Sequence, residues 1–283
     1  MARHQAPHRP HLKIDMRTPT HEGDLDEAGQ DGRGSMLIWA GLFLCMALYA
    51  KVPQIDLAFS ARYFSAGQGF VHANDPLVRL MYVWTPPIGR TILAVLAVFA
   101  LTAPLLARLA ARLGHSQLAR RCVHSWRHMA VIAVICGVIG PGLLIEGIFK
   151  NTVGRPRPVQ VEQFGGNQPF HGPFQPGDDP DSHRSFVSSH AATGFWLMSL
   201  GLTAGPVWRR RWLLIGVVAG AIIGMGRIMQ GGHFLSDVIF AFYAVWVPCE
   251  LVALIDRWRL TRHLPPPSRP HRPQVFKSDD LSD

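Results

Sequence analysis

A histidine and an aspartate stand four residues apart where two apolar stretches meet, in the sequence GRIMQGGHFLSDVIF. If this stretch is helical, His233 and Asp237 share one face. The carboxylate can then accept a hydrogen bond from one imidazole nitrogen and leave the other nitrogen bare as a nucleophile. Ionisable side chains are costly beside hydrocarbon, so their presence there indicates a functional site. We therefore predict nucleophilic chemistry at His233, with Asp237 orienting its ring.

Positive charge accompanies this pair in two places. Arg227 lies in the same stretch, and the segment KNTVGRPRP contributes Lys150, Arg155 and Arg157. The negative charge of a phosphoryl group is spread over several oxygens, and arginine can contact two of them through parallel hydrogen bonds. We therefore predict that Lys150, Arg157 and Arg227 bind a phosphoryl group.

A third polar cluster, RSFVSSHAATGF, opens another apolar stretch. Its serines Ser188 and Ser189 and its histidine His190 lie at a predicted helix start, where backbone N–H groups face an anion. An imidazole in this position can protonate a leaving alkoxide. The cluster predicts that His190 is a general acid and that the two serines lie against the phosphoryl group.

Long apolar runs must position these clusters. Of the 283 residues, 48% are apolar and 17% are charged, and the apolar residues gather into stretches near the ~20 residues that a membrane-spanning helix needs. This pattern predicts an all-α fold, a six-transmembrane helical bundle. The predicted spans are 36–52, 88–107, 129–150, 188–206, 212–229 and 237–255.

The arginines predict the orientation of this bundle. They cluster between spans two and three, between spans four and five, and after span six. With six spans these segments share one side, which the positive-inside rule makes cytoplasmic. The three polar clusters then lie together at the outer, non-cytoplasmic membrane interface. Because the basic residues flank spans, the net charge of +9 indicates topology, and nucleic-acid binding is not expected.

The termini differ in composition from the bundle. Residues 1–35 are polar and mixed in charge, without the apolar core of a cleavable signal peptide, and predict a disordered cytoplasmic tail. Residues 256–283 are basic and proline-rich and predict a second cytoplasmic tail. The histidines at 4, 8, 11 and 21 are interpreted as part of a solvated tail in preference to a weak metal site. The domain between the tails covers 36–255.

The ordered clusters resemble the motifs of the type 2 phosphatidic acid phosphatase (PAP2) superfamily, which also includes the vanadium haloperoxidases. The K-x6-R-P motif matches Lys150 and Arg157-Pro158, and the second motif, P-S-G-H, appears as VSSH at 187–190. The R-x5-H-x3-D portion of the third motif matches the stretch from Arg227 to Asp237, where Gly226 replaces the family's serine. The resemblance extends over about 36–255.

This resemblance implies a metal-independent phosphatase with no metal site and no cofactor. It implies that His233 carries a phosphohistidine while Asp237 orients it, and that His190 acts first as acid and then as base. It also implies that the phosphoryl oxygens are held by Lys150, Arg157, Arg227, Ser188 and the backbone N–H groups around Ser189.

The resemblance also implies a substrate class and a location. The expected substrate is a lipid phosphate in a bacterial inner membrane: lipid A, phosphatidylglycerophosphate, phosphatidic acid or undecaprenyl pyrophosphate. The loop 158–186 is similar to that of the lipid A phosphatase-like subgroup, and its length suits either a functional lid or a flexible tether.

Other functions use the same residue types. A lipid phosphotransferase needs the same catalytic set, and detection of free phosphate would separate it from a hydrolase. A transporter also contains intramembrane charges but requires no histidine–aspartate nucleophile. A vanadium haloperoxidase would use the same pocket, although six predicted spans argue against that soluble class. The oligomeric state stays open.

Overall fold

The computed structural model of the chain describes residues 21–177, 179 and 181–262. The parts of the predicted tails at 1–20 and 263–283, with the histidines at 4, 8 and 11, lie outside the described residues. The fold is mostly helical, which confirms the predicted all-α class, with one short hairpin of β1 (Phe64–Ser65) and β2 (Gly69–Phe70). The helices are α1 (His21–Lys51), α2 (Ile55–Ser60), α3 (Pro76–Arg112), α4 (Ser116–Arg121), α5 (Arg127–Gly137), α6 (Lys150–Thr152), α7 (Ser189–Trp196), α8 (Pro206–Met229) and α9 (Leu235–Arg262).

Five helical stretches in the described part of the chain are long and apolar enough to cross a membrane. They correspond to the predicted first, second, third, fifth and sixth spans, so these five segments are confirmed in length and composition. Their bounds are Arg33–Lys51, Pro76–Arg112, Ser116–Thr152, Pro206–Met229 and Leu235–Arg259.

The predicted fourth span, 188–206, is shorter in the structure. The 8 residues of α7 are followed by only 5 residues of 3-10 helix, Leu197–Gly201, before the chain turns. At about 1.5 to 2.0 Å of rise per residue this helix is roughly 20 Å long, less than the ~30 Å of a bilayer core. Apolar composition continues through Gly201 and Gly205, but the helix does not, because glycine and the following Pro206 favour a turn.

Several helix boundaries also differ from those expected. Helix α1 begins at His21, so residues 21–35 are helical where a disordered tail is expected, and α9 extends into the predicted tail as far as Arg262. Extending an existing helix is far less costly than nucleating one. Helix α3 begins at Pro76 and contains Pro86 and Pro87, which were expected to precede its span. Neighbouring groups can satisfy the backbone freed by proline in an apolar helix.

The stretch Ser116–Thr152 runs continuously through α4, α5 and α6 but is π-helical over Val138–Phe149. Pro141 lies in this segment and has no N–H to donate to the regular helical ladder. Such widened turns are frequent at functional sites. Here the widened segment leads directly into Lys150, one of the predicted phosphate-binding residues.

Helices α7 and α8 approach closely because glycines face each other between them. A Cβ atom added at Gly194 would lie 2.6 Å from the backbone nitrogen of Gly220, and one at Gly216 would lie 2.7 Å from the backbone nitrogen of Met198. Small residues permit this backbone approach. The start of α7, with His190, is held beside the C-terminal half of α8.

Segments between the long helices pack into what we call the cap, the described residues of 52–75 and 153–187. Its aromatic core joins Phe64, Phe70 and Phe164, with ring centroids 5.2 to 5.6 Å apart. Phe170 packs against Phe234, which precedes α9, at 5.3 Å. The loop expected to be a lid or a flexible tether is thus anchored to the helical domain through its phenylalanines.

Candidate active site

A cavity of about 540 Å³ brings together polar clusters that are far apart in the sequence. It opens among α3, the π-helical segment, α7 and α8. Six of the eight predicted site residues line it: Lys150, Arg157, Ser189, His190, Arg227 and His233. The other two, Ser188 and Asp237, are fully buried and are not part of the cavity lining.

His233 lies in the tight turn between α8 and α9, which two glycines make possible. Gly231 adopts a φ of +66°, in the left-handed region, and a Cβ atom at Gly232 would collide with the guanidinium of Arg227. The turn therefore presses the Arg227 side chain against the backbone beside His233. Both side chains are buried at the cavity wall.

Burial keeps the His233 imidazole neutral. Desolvation lowers the pKa of His233 to about 3, and the charges of Lys150 and Arg227 act in the same direction, while Asp237 opposes them. Nδ1 of His233 lies 3.5 Å from Oδ2 of Asp237, a longer contact than a normal hydrogen bond. An uncharged ring retains the lone pair that a nucleophile needs.

Three other groups hold the Asp237 carboxylate. Oδ2 accepts hydrogen bonds from the Ser185 hydroxyl at 2.6 Å and from the Phe234 backbone N–H at 2.8 Å. Oδ1 accepts from Nη1 of Arg155 at 2.6 Å. The Asp237 side chain is 0% exposed, so its charge is balanced entirely by protein groups. These contacts fix the position of the Asp237 carboxylate on the interior side of His233.

Arg155 is a fully buried bridge between Asp237 and Asp56, a carboxylate of α2. Its Nη2 donates to Oδ2 of Asp56 at 2.8 Å, and its Nε donates to the backbone carbonyl of His171 at 2.9 Å. Asp56 also accepts from the backbone N–H and the hydroxyl of Ser236, at 2.8 and 2.5 Å. The arginine lies over the ring of Phe234, 4.4 Å from its centroid.

Arg155 belongs to the segment KNTVGRPRP but is not among the predicted phosphoryl-binding residues, and Asp56 has no predicted role. The alternation R-P-R-P places Arg155 inside and leaves Arg157 exposed at the cavity. The sequence gives no local signal that separates the two arginines, because each of them precedes a proline.

Lys150 connects the π-helical segment to the residues that precede α7. Its Nζ donates to the backbone carbonyl of Arg184 at 2.5 Å and lies 3.4 Å from that of Ser185. The side chain is 6% exposed. An ammonium group has three donors, so one proton remains for an anion in the cavity.

Arg227 and His190 share contacts with Tyr82, a residue of α3 that the motifs did not indicate. The Arg227 guanidinium lies 4.4 Å from the Tyr82 ring centroid, and the His190 ring stacks on the same ring at 5.2 Å. Nε2 of His190 lies 3.2 Å from the Tyr82 carbonyl oxygen. Among the described residues the buried Nε of Arg227 has no acceptor, while its Nη1 donates to Gln230. This leaves Arg227 with an unused donor at the cavity wall.

The two serines have different local partners. Ser188 caps α7, because its hydroxyl accepts from the Ala191 backbone N–H at 3.4 Å, and its own N–H donates to the Asp237 carbonyl at 3.1 Å. The Ser189 hydroxyl donates to Oε1 of Glu146, a cavity residue that sequence reasoning did not select. Binding of phosphoryl oxygens by Ser188 and Ser189 stays a prediction.

Among the curated proteins that are similar to part of the chain, three are described here. The lipid A 4'-phosphatase of Francisella tularensis subsp. novicida (strain U112) is 40% identical over 132 residues, covering 45% of this chain and 60% of the relative. The lipid A 4'-phosphatase of Rhizobium etli (strain ATCC 51251 / DSM 11541 / JCM 21823 / NBRC 15573 / CFN 42) is 41% identical over 121 residues, covering 42% and 47%. The lipid A 1-phosphatase of Rhizobium johnstonii (strain DSM 114642 / LMG 32736 / 3841) is 28% identical over 138 residues, covering 48% and 52%.

The matches are partial on both sides. The chain spans between 47% and 60% of the length of these three relatives. No solved structure matches the chain significantly. Residues 127–260 match the PAP2 superfamily, and they contain both histidines of the cavity and four of its cations, Lys150, Arg157, Arg184 and Arg227. Over residues 127–260 the chain is therefore similar to the PAP2 superfamily.

Proposed function

We propose that this protein is an integral membrane phosphatase that removes a phosphate from a lipid headgroup through a phosphohistidine. The two-part character of the cavity carries the proposal. One part presents His190, His233 and cationic side chains, and the other extends between helices long enough to cross a membrane. A phosphorylated lipid has a matching anionic end and apolar end. The apolar part is lined by Pro86, Gly89, Leu93, Gly137, Pro141 and Trp196.

In the first step, His233 attacks phosphorus while the bond to the lipid oxygen breaks. Its Nδ1 faces Asp237 in the protein interior, so Nε2 forms the new bond. His190 donates a proton to the leaving oxygen, which departs as a neutral alcohol. Lys150, Arg157 and Arg227 offset the charge on the transferring group. The products are a dephosphorylated lipid and a phosphorylated His233.

In the second step, water hydrolyses the phosphohistidine. His190 is now neutral and accepts a proton from the attacking water, the reverse of its first role. The nitrogen–phosphorus bond breaks, inorganic phosphate leaves, and His233 regains its lone pair. The proton balance closes because His190 returns to its initial form.

A lipid A phosphate monoester is the substrate that the relatives favour, since those described above are named for the 4' or the 1 position of lipid A. Phosphatidic acid, phosphatidylglycerophosphate and undecaprenyl pyrophosphate present similar chemistry to the cationic part of the cavity. The Francisella relative named for the 4' position has higher identity, 40%, than the relative named for the 1 position, 28%. We therefore propose the 4'-phosphate first.

The test is lipid mass spectrometry on membranes with and without the protein. We expect one lipid species to lose HPO₃ and inorganic phosphate to appear in equal amount. Activity should persist in EDTA and be inhibited by vanadate, which adopts the five-coordinate geometry of the transferring phosphorus. A second phospholipid in place of free phosphate would indicate a phosphotransferase. Activity lost in EDTA and restored by magnesium would contradict the metal-free mechanism.

We further propose the six-span topology in a bacterial inner membrane, with both termini cytoplasmic and the site at the outer interface. The short helix Ser189–Gly201 would be the fourth crossing, in a locally thinned bilayer or shielded by α8. Single cysteines or reporter fusions in 158–186 should label from outside, and those in 113–115 only from the cytoplasm. The reverse labelling pattern would place the site at the inner leaflet and refute this orientation.

A further inference from the structure

Glu146 places a carboxylate in the wall of a cavity that otherwise presents cations. It lies in the π-helical segment four residues before Lys150, and its side chain is 53% exposed. None of the recognised motifs includes it. A site that bound only a phosphoryl group would gain nothing from a second anion at its edge, because like charges repel. The position of Glu146 therefore needs a separate explanation.

The neighbours of Glu146 leave part of its hydrogen-bonding capacity free. Oε1 accepts from the Ser189 hydroxyl, and Oε2 lies 3.8 Å from Nη2 of Arg184. Nη1 of Arg184 donates to Oδ1 of Asn151 at 3.0 Å, so this guanidinium is shared between two acceptors. An ionised carboxylate has about four lone-pair sites. Its remaining sites face the cavity that Glu146, Arg184 and Ser189 line together.

We infer that Glu146, Ser189 and Arg184 form a headgroup subsite for substrates with O–H or N–H donors close to the phosphate, as in a phosphorylated amino sugar. Such a donor turns the carboxylate from a repelling charge into a hydrogen-bond acceptor. The inference rests on the proposed lipid phosphatase function and concerns which headgroup that site selects.

The same geometry disfavours a glycerolipid phosphate. In phosphatidic acid the carbons beside the phosphate carry ester groups, which have acceptors only. Glu146 would then face the phosphate dianion without a donor between them. A site that accepts a hydrogen bond from one headgroup and finds no donor on another discriminates between the two. Water reaches the half-exposed Glu146 carboxylate, so the expected discrimination is about ten-fold and not the larger factor of a fully buried acceptor. The subsite thus favours one headgroup and opposes the other.

A simpler role for Glu146 would be to neutralise Arg184. In that case its charge would affect all phosphorylated lipids alike, since Arg184 borders the cavity for every substrate. The two roles differ in the ratio of rates on two headgroups, which does not depend on the fraction of protein that is folded.

The experiment compares kcat/KM of the purified full chain on an acylated glucosamine phosphate and on phosphatidic acid in the same detergent. Glu146→Gln should lower kcat/KM about ten-fold on the amino sugar, corresponding to one lost interaction. On phosphatidic acid it should leave kcat/KM unchanged or raise it. Ser189→Ala should shift the ratio in the same direction by a smaller factor, because it frees Glu146 from its holding partner. Glu162→Gln, at an exposed carboxylate outside the cavity lining, should leave the ratio unchanged.

Each result has a distinct meaning. Equal changes on both lipids in Glu146→Gln and Ser189→Ala would overturn the subsite and leave the phosphatase function intact. If Glu146→Gln is inactive on both lipids, the ratio measured with Ser189→Ala decides. A wild-type chain that releases phosphate from neither lipid would instead contradict the proposed function.

Discussion

His233→Ala is expected to abolish phosphate release, with a loss of four or more orders of magnitude, on the order of that seen when a covalent nucleophile is removed. The side chain is the buried, neutral imidazole of the cavity wall, and among the described residues no other imidazole faces Asp237. His190→Ala should lose less on a substrate with a good leaving group, because such a group departs without a proton.

These two variants also separate the steps. With an aryl phosphate labelled with ³²P, His190→Ala should accumulate an acid-labile label on the protein, because the base for the second step is missing. His233→Ala should carry no label. His72→Ala, at a half-exposed histidine of the cap, is the matched control and should retain wild-type rates. Phosphate release by His233→Ala would eliminate the histidine nucleophile.

The pH dependence follows from the environment of His233. Because burial lowers its pKa to about 3, the ring stays neutral down to about pH 4. We therefore expect that any acid limb of kcat/KM above pH 5 belongs to a different group. The unfolded chain binds this proton near pH 6.5, so His233 makes acidification destabilising between about pH 6.5 and 3.

Arg155→Met is expected to destabilise the fold by about 3–5 kcal/mol and to reduce kcat at least 100-fold in whatever folded fraction remains. The substitution leaves two fully buried carboxylates, Asp56 and Asp237, without their shared cation. The free energy of unfolding and kcat, measured on the same preparation, check both parts. Arg155→Lys should also fail to restore kcat, because one ammonium group lacks the planar fork that bridges the two.

Two comparisons isolate the buried bridge. Arg62→Met, at an exposed arginine of the cap, should change neither quantity appreciably. Asp56→Asn should cost less in the Arg155→Met background than in the wild type, because the two residues interact directly. Additive effects, or normal kcat in Arg155→Met, would show that Asp237 keeps its position without the bridge.

The cavity-lining residues that lie in short sequence motifs could be predicted from the sequence. Lys150, His190, Arg227 and His233 all line the cavity. Each lies in a motif only a few residues long. In so short a segment, the helix or tight turn alone determines where the side chains lie relative to one another. The sequence alone assigns no role to the glycines at 231 and 232, yet in the structure they determine how closely Arg227 approaches the turn that carries His233.

The groups behind the cavity were not predictable, because they depend on contacts between distant parts of the chain. Arg155 and Asp56 are 99 residues apart in sequence. Nothing local distinguishes Arg155 from Arg157, since both precede proline. The predicted length of the fourth span, 188–206, was wrong for a related reason. Its composition is apolar throughout, but the helix ends at Gly201. Apolar composition predicts burial, and where the helix ends depends on packing against α8.

The carboxylate of Asp56 lies outside residues 127–260, the region that matches the PAP2 superfamily. That region consequently lacks one of the two carboxylates that bind the buried Arg155. A chimera that joined residues 127–260 to foreign N-terminal helices would bury the Arg155 guanidinium with one of its two counter-charges missing. Domain boundaries drawn from the family match alone would therefore cut through an ion-pair network, and recombination at those boundaries has to transfer α2 together with residues 127–260.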